Sequence, residues 1–428
     1  MTHNHPAEQA STVTTHAADV GAHAPASGPL LHVLPGGLDL SSGRRLAHVE
    51  IAYETWGELN EDRNNAVVIC HALSGDAHVA AGPDAAGGQK PGWWEVMVGP
   101  GKAIDTDHLF VICGNVLGGC SGSTGPGSLD PETDKPYGLQ FPLITIEDMV
   151  DAQVALLDVL EIDTLLAVVG GSMGGMQALS WAARHPKRMR TCVAVATTPR
   201  LAAQAIAFNE VGRTAILGDP VFDGGSYYEH GQPDQGLAIA RMIGHITYLS
   251  DESMRAKFGR KLRDREAPAF DFVTEFEVES YLAYQGKKFV ERFDANTYLY
   301  MTKAMDYFDL AKGAGSVAAA FADTNVRFLT LTFSSDWLFP TYQMRGLVDA
   351  LRAAFAEVSF AEIESPYGHD AFLLEPEEQA RYIKPFLDRA LEEALAEEPV
   401  AQTEADATAE ADTGTYVADS FATDGGPQ

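Results

Sequence analysis

The sequence predicts an α/β protein with a mostly parallel sheet that is flanked by helices and interrupted by a helical insertion. Two observations predict this class. Apolar runs typical of buried strands alternate with segments of helical periodicity over residues 29–198 and again over residues 316–398. Between them, residues 199–315 combine helical periodicity with bulky aromatic side chains and lack strand-like runs. We expect the two outer segments to form one core domain and residues 199–315 to form a helical lid over it.

Composition and charge restrict the kind of protein. Apolar residues make up 46% and charged residues 21% of the 428 residues, as is usual for a globular protein. The net charge of −30 disfavours nucleic-acid binding, which needs a basic surface. No apolar run reaches the ~18–20 residues of a membrane span, and the first residues lack the pattern of a signal peptide. We therefore expect a cytoplasmic protein that binds neither nucleic acid nor membrane.

Neither the cysteines nor the chain ends indicate a metal site. Three of the four cysteines, Cys70, Cys113 and Cys192, lie in strand-like runs, and no C-x-x-C pair occurs, so buried free thiols are expected. Residues 1–28 contain several histidines, but nothing in the sequence fixes their geometry. We expect residues 1–28 to be a disordered leader and residues 399–428 an acidic disordered tail, and we expect no bound metal.

In chain order, the core strands are predicted at residues 31–34, 46–55, 66–70, 108–113, 165–169, 191–197, 327–333 and 358–363. Helices are predicted at residues 145–160, 341–355 and 377–395, and from residue 176 to the residue before Pro186, because apolar side chains recur there at helical spacing. The runs at residues 66–70 and 165–169 are apolar throughout. This composition is typical of central strands that are buried on both faces of a parallel sheet.

The strand at residues 165–169 leads into a turn with the pattern G-x-S-x-G. Ser172 lies between paired glycines at positions 170–171 and 174–175, and a helical pattern follows. A strand, a Gly-flanked turn and a helix match the nucleophile elbow of α/β-hydrolases, in which a Cβ beside the serine would clash. The Met173 amide at the helix N-terminus would then face an oxyanion formed at Ser172. The alternative is a Gly-rich turn that binds phosphate or only packs.

Two loops follow other strands at the same edge of the predicted sheet. After residues 66–70, the Leu73 amide lies where a hydrolase-type sheet supplies its second oxyanion donor. His71 and His78 in this loop could act as ligands or bases, but we favour a role in holding the backbone. The Gly/Ser-rich loop at residues 114–127 resembles a phosphate cradle without the P-loop order. We favour a packed loop beside the nucleophile, with contact to a CoA phosphate as the alternative.

An acid and a histidine complete the pattern later in the chain. Asp336 follows the strand at residues 327–333, and His369 follows the last strand on a Gly-containing loop. Each would lie at the carboxyl end of its strand, as Ser172 does. The order Ser172, Asp336, His369 is the order of the α/β-hydrolase triad. Asp336 alone could be an ordinary turn residue before Pro340, yet the three together favour a catalytic triad.

Several longer motifs resemble the homoserine O-acyltransferase family of methionine biosynthesis, whose members are most often acetyltransferases. They are His-Ala-Leu-Ser-Gly-Asp at 71–76, Gly-Ser-Thr-Gly-Pro at 122–126, Phe-Pro-Leu-Ile-Thr-Ile-Glu-Asp-Met at 141–149, Gly-Gly-Ser-Met-Gly-Gly-Met-Gln at 170–177, Phe-Glu-Val-Glu-Ser-Tyr-Leu at 276–282 and Gly-His-Asp at 368–370. The resemblance spans about residues 30–388. It implies that Ser172, Asp336 and His369 form the triad, and that Arg213 and Asp370 bind the amino-acid substrate.

The resemblance also implies an activity. A Ser172 acyl-enzyme would carry an acetyl group from acetyl-CoA to the hydroxyl of L-homoserine in two half-reactions, with no permanently bound cofactor. We expect a homodimer formed through the lid. Alternatives on the same scaffold are a succinyl-CoA donor, a serine acceptor, or a plain esterase or thioesterase. An alternative from another class is a non-catalytic hydrolase-fold binding protein.

Overall fold

An eight-stranded sheet runs through the part of the chain that the computed structural model describes, residues 29–82 and 90–397. The strands are β1 (Leu30–Val33), β2 (Glu50–Trp56), β3 (Ala66–Cys70), β4 (Phe110–Gly114), β5 (Leu165–Gly171), β6 (Met189–Val195), β7 (Arg327–Phe333) and β8 (Val358–Ile363). Their spatial order is β1-β2-β4-β3-β5-β6-β7-β8. β2 pairs antiparallel with β1 and β4, and the strands from β4 to β8 pair in parallel. The expected mostly parallel sheet is confirmed.

Helices cover both faces of the sheet. They are α1 (Ile146–Val159), α2 (Met173–Arg184), α3 (Ala203–Leu217), α4 (Asp234–Tyr248), α5 (Asp251–Lys257), α6 (Glu277–Val290), α7 (Ala295–Tyr307), α8 (Val317–Ala320), α9 (Thr341–Ala353), α10 (Ala371–Leu374) and α11 (Pro376–Ala396). Within residues 29–82 and 90–397, no helix has both the length and the apolar character needed to cross a membrane. The predicted leader at 1–28 and tail at 399–428 lie outside the described residues.

The side chains of β5 pack into two hydrophobic clusters, one on each face of the sheet. Leu165 and Val168 belong to a cluster with apolar residues of α1, α2 and α9. Leu166 and Val169 belong to a second cluster, which includes Ile383 and other residues of α11. All seven residues of β5 are buried, because the strand lies between β3 and β6 in the middle of the sheet. This burial explains why the strand is apolar throughout and does not alternate.

The prediction of one continuous strand over residues 46–55 is wrong, because the structure has two separate strands there. The chain first forms a two-residue strand, Arg45–Leu46, which pairs with Leu38–Asp39, and β2 begins only at Glu50. The first pair closes a small hairpin around Gly43, whose φ is +79°, whereas β2 joins the main sheet. Apolar residues continue through both pieces, so periodicity alone could not separate them.

Helices α3 to α7 occupy the region in which the sequence lacks strand-like runs. α3 packs against α4 and α7, and α4 packs against α6. These helices share a small core of their own, which includes Ile216, Leu237 and Phe289. α4 also contacts the short turn Gly368–Asp370 that follows β8. The helical layer therefore touches the carboxyl edge of the sheet, where the predicted site lies.

Candidate active site

The turn between β5 and α2 holds Ser172 in a left-handed backbone conformation. Its φ of +58° and ψ of −123° are strained for a residue with a side chain. The Ser172 amide donates to the Val195 carbonyl at 3.0 Å, and the Ser172 carbonyl accepts from Thr197 Oγ1 at 2.8 Å. β6 and the residues after it therefore stabilise a conformation that places the serine side chain beyond the end of β5.

Steric crowding explains why two positions of the G-x-S-x-G turn, Gly170 and Gly174, are glycine. A Cβ atom on Gly170 would lie 2.1 Å from the Gly174 carbonyl oxygen, and one on Gly174 would lie 2.0 Å from the Cys70 carbonyl oxygen. Both obstacles are backbone atoms, which cannot swing aside as the end of a side chain can. The motif therefore allows β3, β5 and α2 to approach more closely than alanine at these positions would permit.

We expect Gly174→Ala to lower the free energy of unfolding by about 3 kcal/mol or more, because α2 and β3 must separate. The control is Gly346→Ala in α9, where an added Cβ meets no atom within 4 Å. There, alanine should raise stability by about 0.5–1 kcal/mol, since glycine is the poorer residue inside a helix. Urea unfolding of both variants checks this prediction, and equal stability of the two would contradict it.

Ser172, His369 and Asp336 form one chain of hydrogen bonds. Ser172 Oγ lies 2.8 Å from His369 Nε2, and His369 Nδ1 lies 2.8 Å from Asp336 Oδ2. All three residues are buried: the exposed fraction is 7% for Ser172, 3% for His369 and 4% for Asp336. The structure thus brings together three residues that follow the ends of β5, β8 and β7. This is the arrangement in which a histidine can remove a serine proton.

The Oδ1 atom of Asp336, which does not contact His369, fixes the orientation of the carboxylate. Asp336 Oδ1 accepts hydrogen bonds from the Leu338 and Phe339 amides at 3.0 and 2.9 Å. Oδ2 is consequently directed at His369 Nδ1, which donates to it. The proton of a neutral His369 then lies on Nδ1, and Nε2 is free to accept from Ser172.

Aromatic rings enclose the His369 imidazole. The centroids of Phe339, Phe372 and Tyr248 lie 5.1, 5.5 and 6.0 Å from that of His369. Phe339 and Phe372 come from the segments that follow β7 and β8, whereas Tyr248 is the last residue of α4. The rings keep water away from the imidazole, and charges interact more strongly in such surroundings.

One glutamine joins the two segments that carry the predicted oxyanion donors. Gln177 Nε2 donates to the His71 carbonyl at 3.1 Å and to the Met173 carbonyl at 3.3 Å. Gln177 Oε1 accepts from Gln153, whose own oxygen accepts from Trp181. Among the described residues, the backbone amides of Leu73 and Met173 donate no hydrogen bond. Both predicted donors are therefore available to a ligand, and a buried network holds their segments together.

The two loops that the sequence analysis considered as alternative ligand sites form hydrogen bonds with other parts of the protein. His71 Nε2 accepts from the Val116 amide at 3.0 Å, and His78 Nδ1 lies 2.8 Å from Glu54. In the loop at 114–127, Ser123 Oγ and Thr124 Oγ1 accept from backbone amides of β2. Both histidines thus hold neighbouring segments in place, and this loop packs against the sheet.

Arg213, on α3, is buried beside a carboxylate. Its guanidinium lies 2.7 Å from Asp306 and 2.8 Å from Glu210, and the Arg213 and Asp306 side chains are each only 6% exposed. Arg213 Nη1 is buried and has no hydrogen-bond partner within the described residues. A buried guanidinium N–H without an acceptor is costly. Arg213 lines a cavity with Leu139, Leu299 and Lys303, and none of the three triad residues lines it.

Asp370 directly follows His369 and faces positive charge. The pKa of the Asp370 carboxyl group is raised, because burial and the nearby Asp336 carboxylate outweigh the opposing effect of Arg241 and Lys257. Arg241, from α4, also stacks on Tyr248 at 5.7 Å. The sequence analysis assigned Arg241 and Tyr248 no role, because they lie in the long segment at residues 199–315 that was predicted only as helical. The signal was present, because residues seven apart lie on the same face of a helix.

The cysteines and acidic groups show no sign of a metal centre in residues 29–82 and 90–397, where no group of three or more potential ligands lies together. Cys70, Cys113 and Cys192 are buried free thiols. Burial raises the pKa of each of these thiols, so they remain protonated.

Comparison with known proteins identifies similar molecules. A family model described as the alpha/beta hydrolase fold matches residues 65–376. The homoserine O-acetyltransferase of Solidesulfovibrio magneticus is 57% identical over 364 residues, which cover 84% of this chain and 91% of that protein. The crystal structure of homoserine O-acetyltransferase from Bacillus anthracis superposes with a TM-score of 0.79 at 29% identity, covering 84% of this chain and 97% of that one. Esterase E22 superposes with a TM-score of 0.76 at 30% identity, covering 84% and 99%.

Proposed function

The chain belongs to the homoserine O-acetyltransferase family of the α/β-hydrolase fold, and we propose that it transfers an acetyl group from acetyl-CoA to L-homoserine through an acyl-Ser172 intermediate. The observation that carries the mechanism is the continuous chain of hydrogen bonds from Ser172 through His369 to Asp336. Acetyl-CoA is a co-substrate in this scheme, and no group is permanently bound. The product would enter methionine biosynthesis.

In the first half-reaction, Ser172 Oγ attacks the thioester carbonyl while His369 Nε2 takes the serine proton. The C–S bond breaks, and the departing sulfur receives that proton as free CoA. Asp336 stabilises the imidazolium that forms in between. The Leu73 and Met173 amides would stabilise the oxyanion by up to about 3–4 kcal/mol per donor.

In the second half-reaction, His369 removes the proton from the hydroxyl of homoserine. The hydroxyl oxygen attacks the acetyl-serine carbonyl, the bond to Ser172 Oγ breaks, and Oγ regains a proton from His369. Water competes with homoserine for this intermediate. We propose that residues 199–315 act as a lid that limits this competition, since Tyr248 of α4 packs on the His369 ring.

Homoserine carries a carboxylate and an ammonium group, and we propose one charged partner for each. Arg213 Nη1 is buried without a partner and suits the carboxylate. Asp370 adjoins His369 and suits the ammonium. Because burial raises the pKa of Asp370, an arriving ammonium would also stabilise the ionised form of this carboxyl group. A hydrolase of simple esters does not need this pair of charges.

We expect Arg213→Lys to impair the second half-reaction more than the first. The substitution keeps the positive charge but removes the planar fork that also contacts Asp306. The KM for homoserine should rise by roughly ten- to a hundredfold, which corresponds to about 1.4–2.8 kcal/mol. Rapid-quench measurement of acetyl-Ser172 formation and of its discharge by homoserine separates the two steps.

The control for this prediction is Arg200→Lys. Arg200 also lies near the start of the lid, but its side chain is 69% exposed. This variant should match the parent in both half-reactions. If Arg213→Lys slowed acetylation and left transfer to homoserine unchanged, Arg213 would belong to the donor side and the assignment would be wrong.

Incubation with acetyl-CoA, with and without homoserine, tests the function directly. A transferase releases free CoA at steady state mainly when homoserine is present, whereas a thioesterase releases it without homoserine. The similarity to esterase E22 makes this comparison necessary. The mass of the intact protein after exposure to acetyl-CoA or to succinyl-CoA decides the donor, and serine in place of homoserine tests the acceptor.

We also propose a cytoplasmic homodimer that forms through the lid. Exposed apolar side chains on α3 and α4 support an interface there: Val211, Leu217, Ile239 and Ile246. Exposed apolar side chains that group on a surface are typical of protein–protein contacts.

A further inference from the structure

The peptide unit that joins Ala72 to Leu73 carries the amide that would face an oxyanion at Ser172. Its carbonyl oxygen, that of Ala72, has two hydrogen-bond partners: His71 Nδ1 at 2.8 Å and the Gly75 amide at 2.9 Å. A trans peptide unit is planar, so its C=O and N–H groups point in opposite directions. The contacts that fix the Ala72 oxygen therefore also fix the direction of the Leu73 N–H.

The His71 ring has one tautomer in this arrangement. Its Nε2 atom accepts a hydrogen bond from the Val116 amide at 3.0 Å, so Nε2 carries no proton. Burial lowers the pKa of His71, against the opposing effects of the Ala72 carbonyl and of Asp76, and keeps the ring neutral. The single N–H proton of a neutral imidazole then lies on Nδ1, which donates it to the Ala72 carbonyl.

The residues around His71 hold both its ring and its backbone. Only 2% of His71 is exposed, and a Cβ atom on Gly75 would lie 2.8 Å from the His71 Cβ. The His71 carbonyl accepts from Gln177 Nε2 at 3.1 Å, which bonds the backbone to α2. The Val116 amide bonds the ring to the loop at 114–127. The turn from Ala72 to Gly75 is therefore packed against a ring that has little room to shift.

We propose that His71 is a positioning residue for acetyl transfer, whose Nδ1–H group holds the Ala72 carbonyl and thereby aims the Leu73 amide at the oxyanion. This inference rests on the proposed function, because it requires an oxyanion at Ser172. A hydrogen bond weakens steeply when its donor is misdirected. Loss of the His71 donor should consequently slow both half-reactions, since each passes through an oxyanion.

Two substitutions separate the roles of the two ring nitrogens. His71→Asn keeps an N–H donor as far along the side chain as Nδ1, and it loses the acceptor for Val116. His71→Gln can reach the Val116 amide with its side-chain oxygen, and it loses the donor to Ala72. Both variants lack the ring and share the loss of packing. We expect acetylation of Ser172 to slow about ten- to a hundredfold in His71→Gln and only about threefold in His71→Asn.

The measurement is the rate of Ser172 acetylation, followed by the mass of the intact protein, with acetyl-CoA or p-nitrophenyl acetate as the donor. Both donors form the same oxyanion, so both should lose rate by the same factor. The KM for acetyl-CoA should stay within about twofold of the parent, because a group that acts on the oxyanion does not bind the free donor.

The control is His185→Asn, which also removes a histidine ring beside α2. His185 follows the last residue of α2, at the end opposite Ser172, and its Nε2 atom lies 3.2 Å from Asp151 Oδ1. This variant should match the parent with both donors.

Equal rates in His71→Asn and His71→Gln, or a faster His71→Gln variant, would overturn the inference, because the donor to Ala72 would then not matter. A loss confined to acetyl-CoA would also overturn it, since His71 would then act on the CoA part of the donor. Failure of the proposed function has a different signature: p-nitrophenyl acetate would acetylate the parent and acetyl-CoA would not. The two His71 variants would still differ with the ester.

Discussion

Replacement of Ser172 by alanine is expected to lower kcat on the order of 10⁶-fold, because the proposed acceptor of the acetyl group is removed. The remaining groups, including the Leu73 and Met173 amides, cannot form an acyl-enzyme. Alanine lacks only the hydroxyl of serine, so the strained turn and its bond to the Val195 carbonyl should persist. Steady-state transfer to homoserine and the intact mass after exposure to acetyl-CoA measure the two effects.

Ser180→Ala is the matched control for this substitution. Ser180 lies two turns further along α2 and is buried, and its hydroxyl has no hydrogen-bond partner among the described residues. Its loss should leave both kcat and the acetylated mass unchanged. If the Ser172→Ala variant still gained an acetyl group on the turn between β5 and α2, another residue would be the nucleophile.

Asp336→Asn is expected to lower kcat by about 10⁴-fold. The Leu338 and Phe339 amides donate to Oδ1, so an asparagine would place its carbonyl oxygen there and direct its NH₂ group at His369 Nδ1. His369 would then keep its proton on Nε2 and could not accept the proton of Ser172. The fold should survive, since the size of the side chain is unchanged.

Measurement of kcat and of the acetylation rate of Ser172 checks the effect of Asp336→Asn. Asp349→Asn on α9 serves as the control, because the Asp349 side chain is 79% exposed and its charged neighbour is Arg352 of the same helix, not a residue of the triad. It should retain the activity of the parent. Activity of Asp336→Asn within tenfold of the parent would mean that another carboxylate orients His369.

The sheet and the order of the triad could be predicted because both depend on local sequence patterns. The apolar run before Gly170 specifies a buried strand, and the confirmed bounds of β3, β7 and β8 coincide with the predicted ones. Residues that follow parallel strands are brought to one edge of the sheet by the fold itself. Ser172, Asp336 and His369 could therefore be placed near one another without any knowledge of side-chain packing.

The surroundings of the triad could not be predicted in this way. Arg213 contacts Asp306, and Tyr248 contacts His369, only because α3, α4 and α7 cross one another at particular angles. Helical periodicity shows which face of each helix is apolar but not which helix it meets. The division of the predicted strand at 46–55 depends on pairing partners, which periodicity does not specify.

The hydrogen bonds from Gln177 to the His71 and Met173 carbonyls also affect the free energy that each reaction cycle requires. Polar groups that must turn toward a developing charge consume free energy when they do so, as water molecules do around an ion. Here one glutamine links the His71 and Met173 carbonyls, and Gly174 fits against the Cys70 carbonyl. These contacts link the Leu73 and Met173 segments to each other. In the proposed mechanism, the work of orienting the Leu73 and Met173 amide dipoles is done once, when the chain folds, and is not repeated at every turnover.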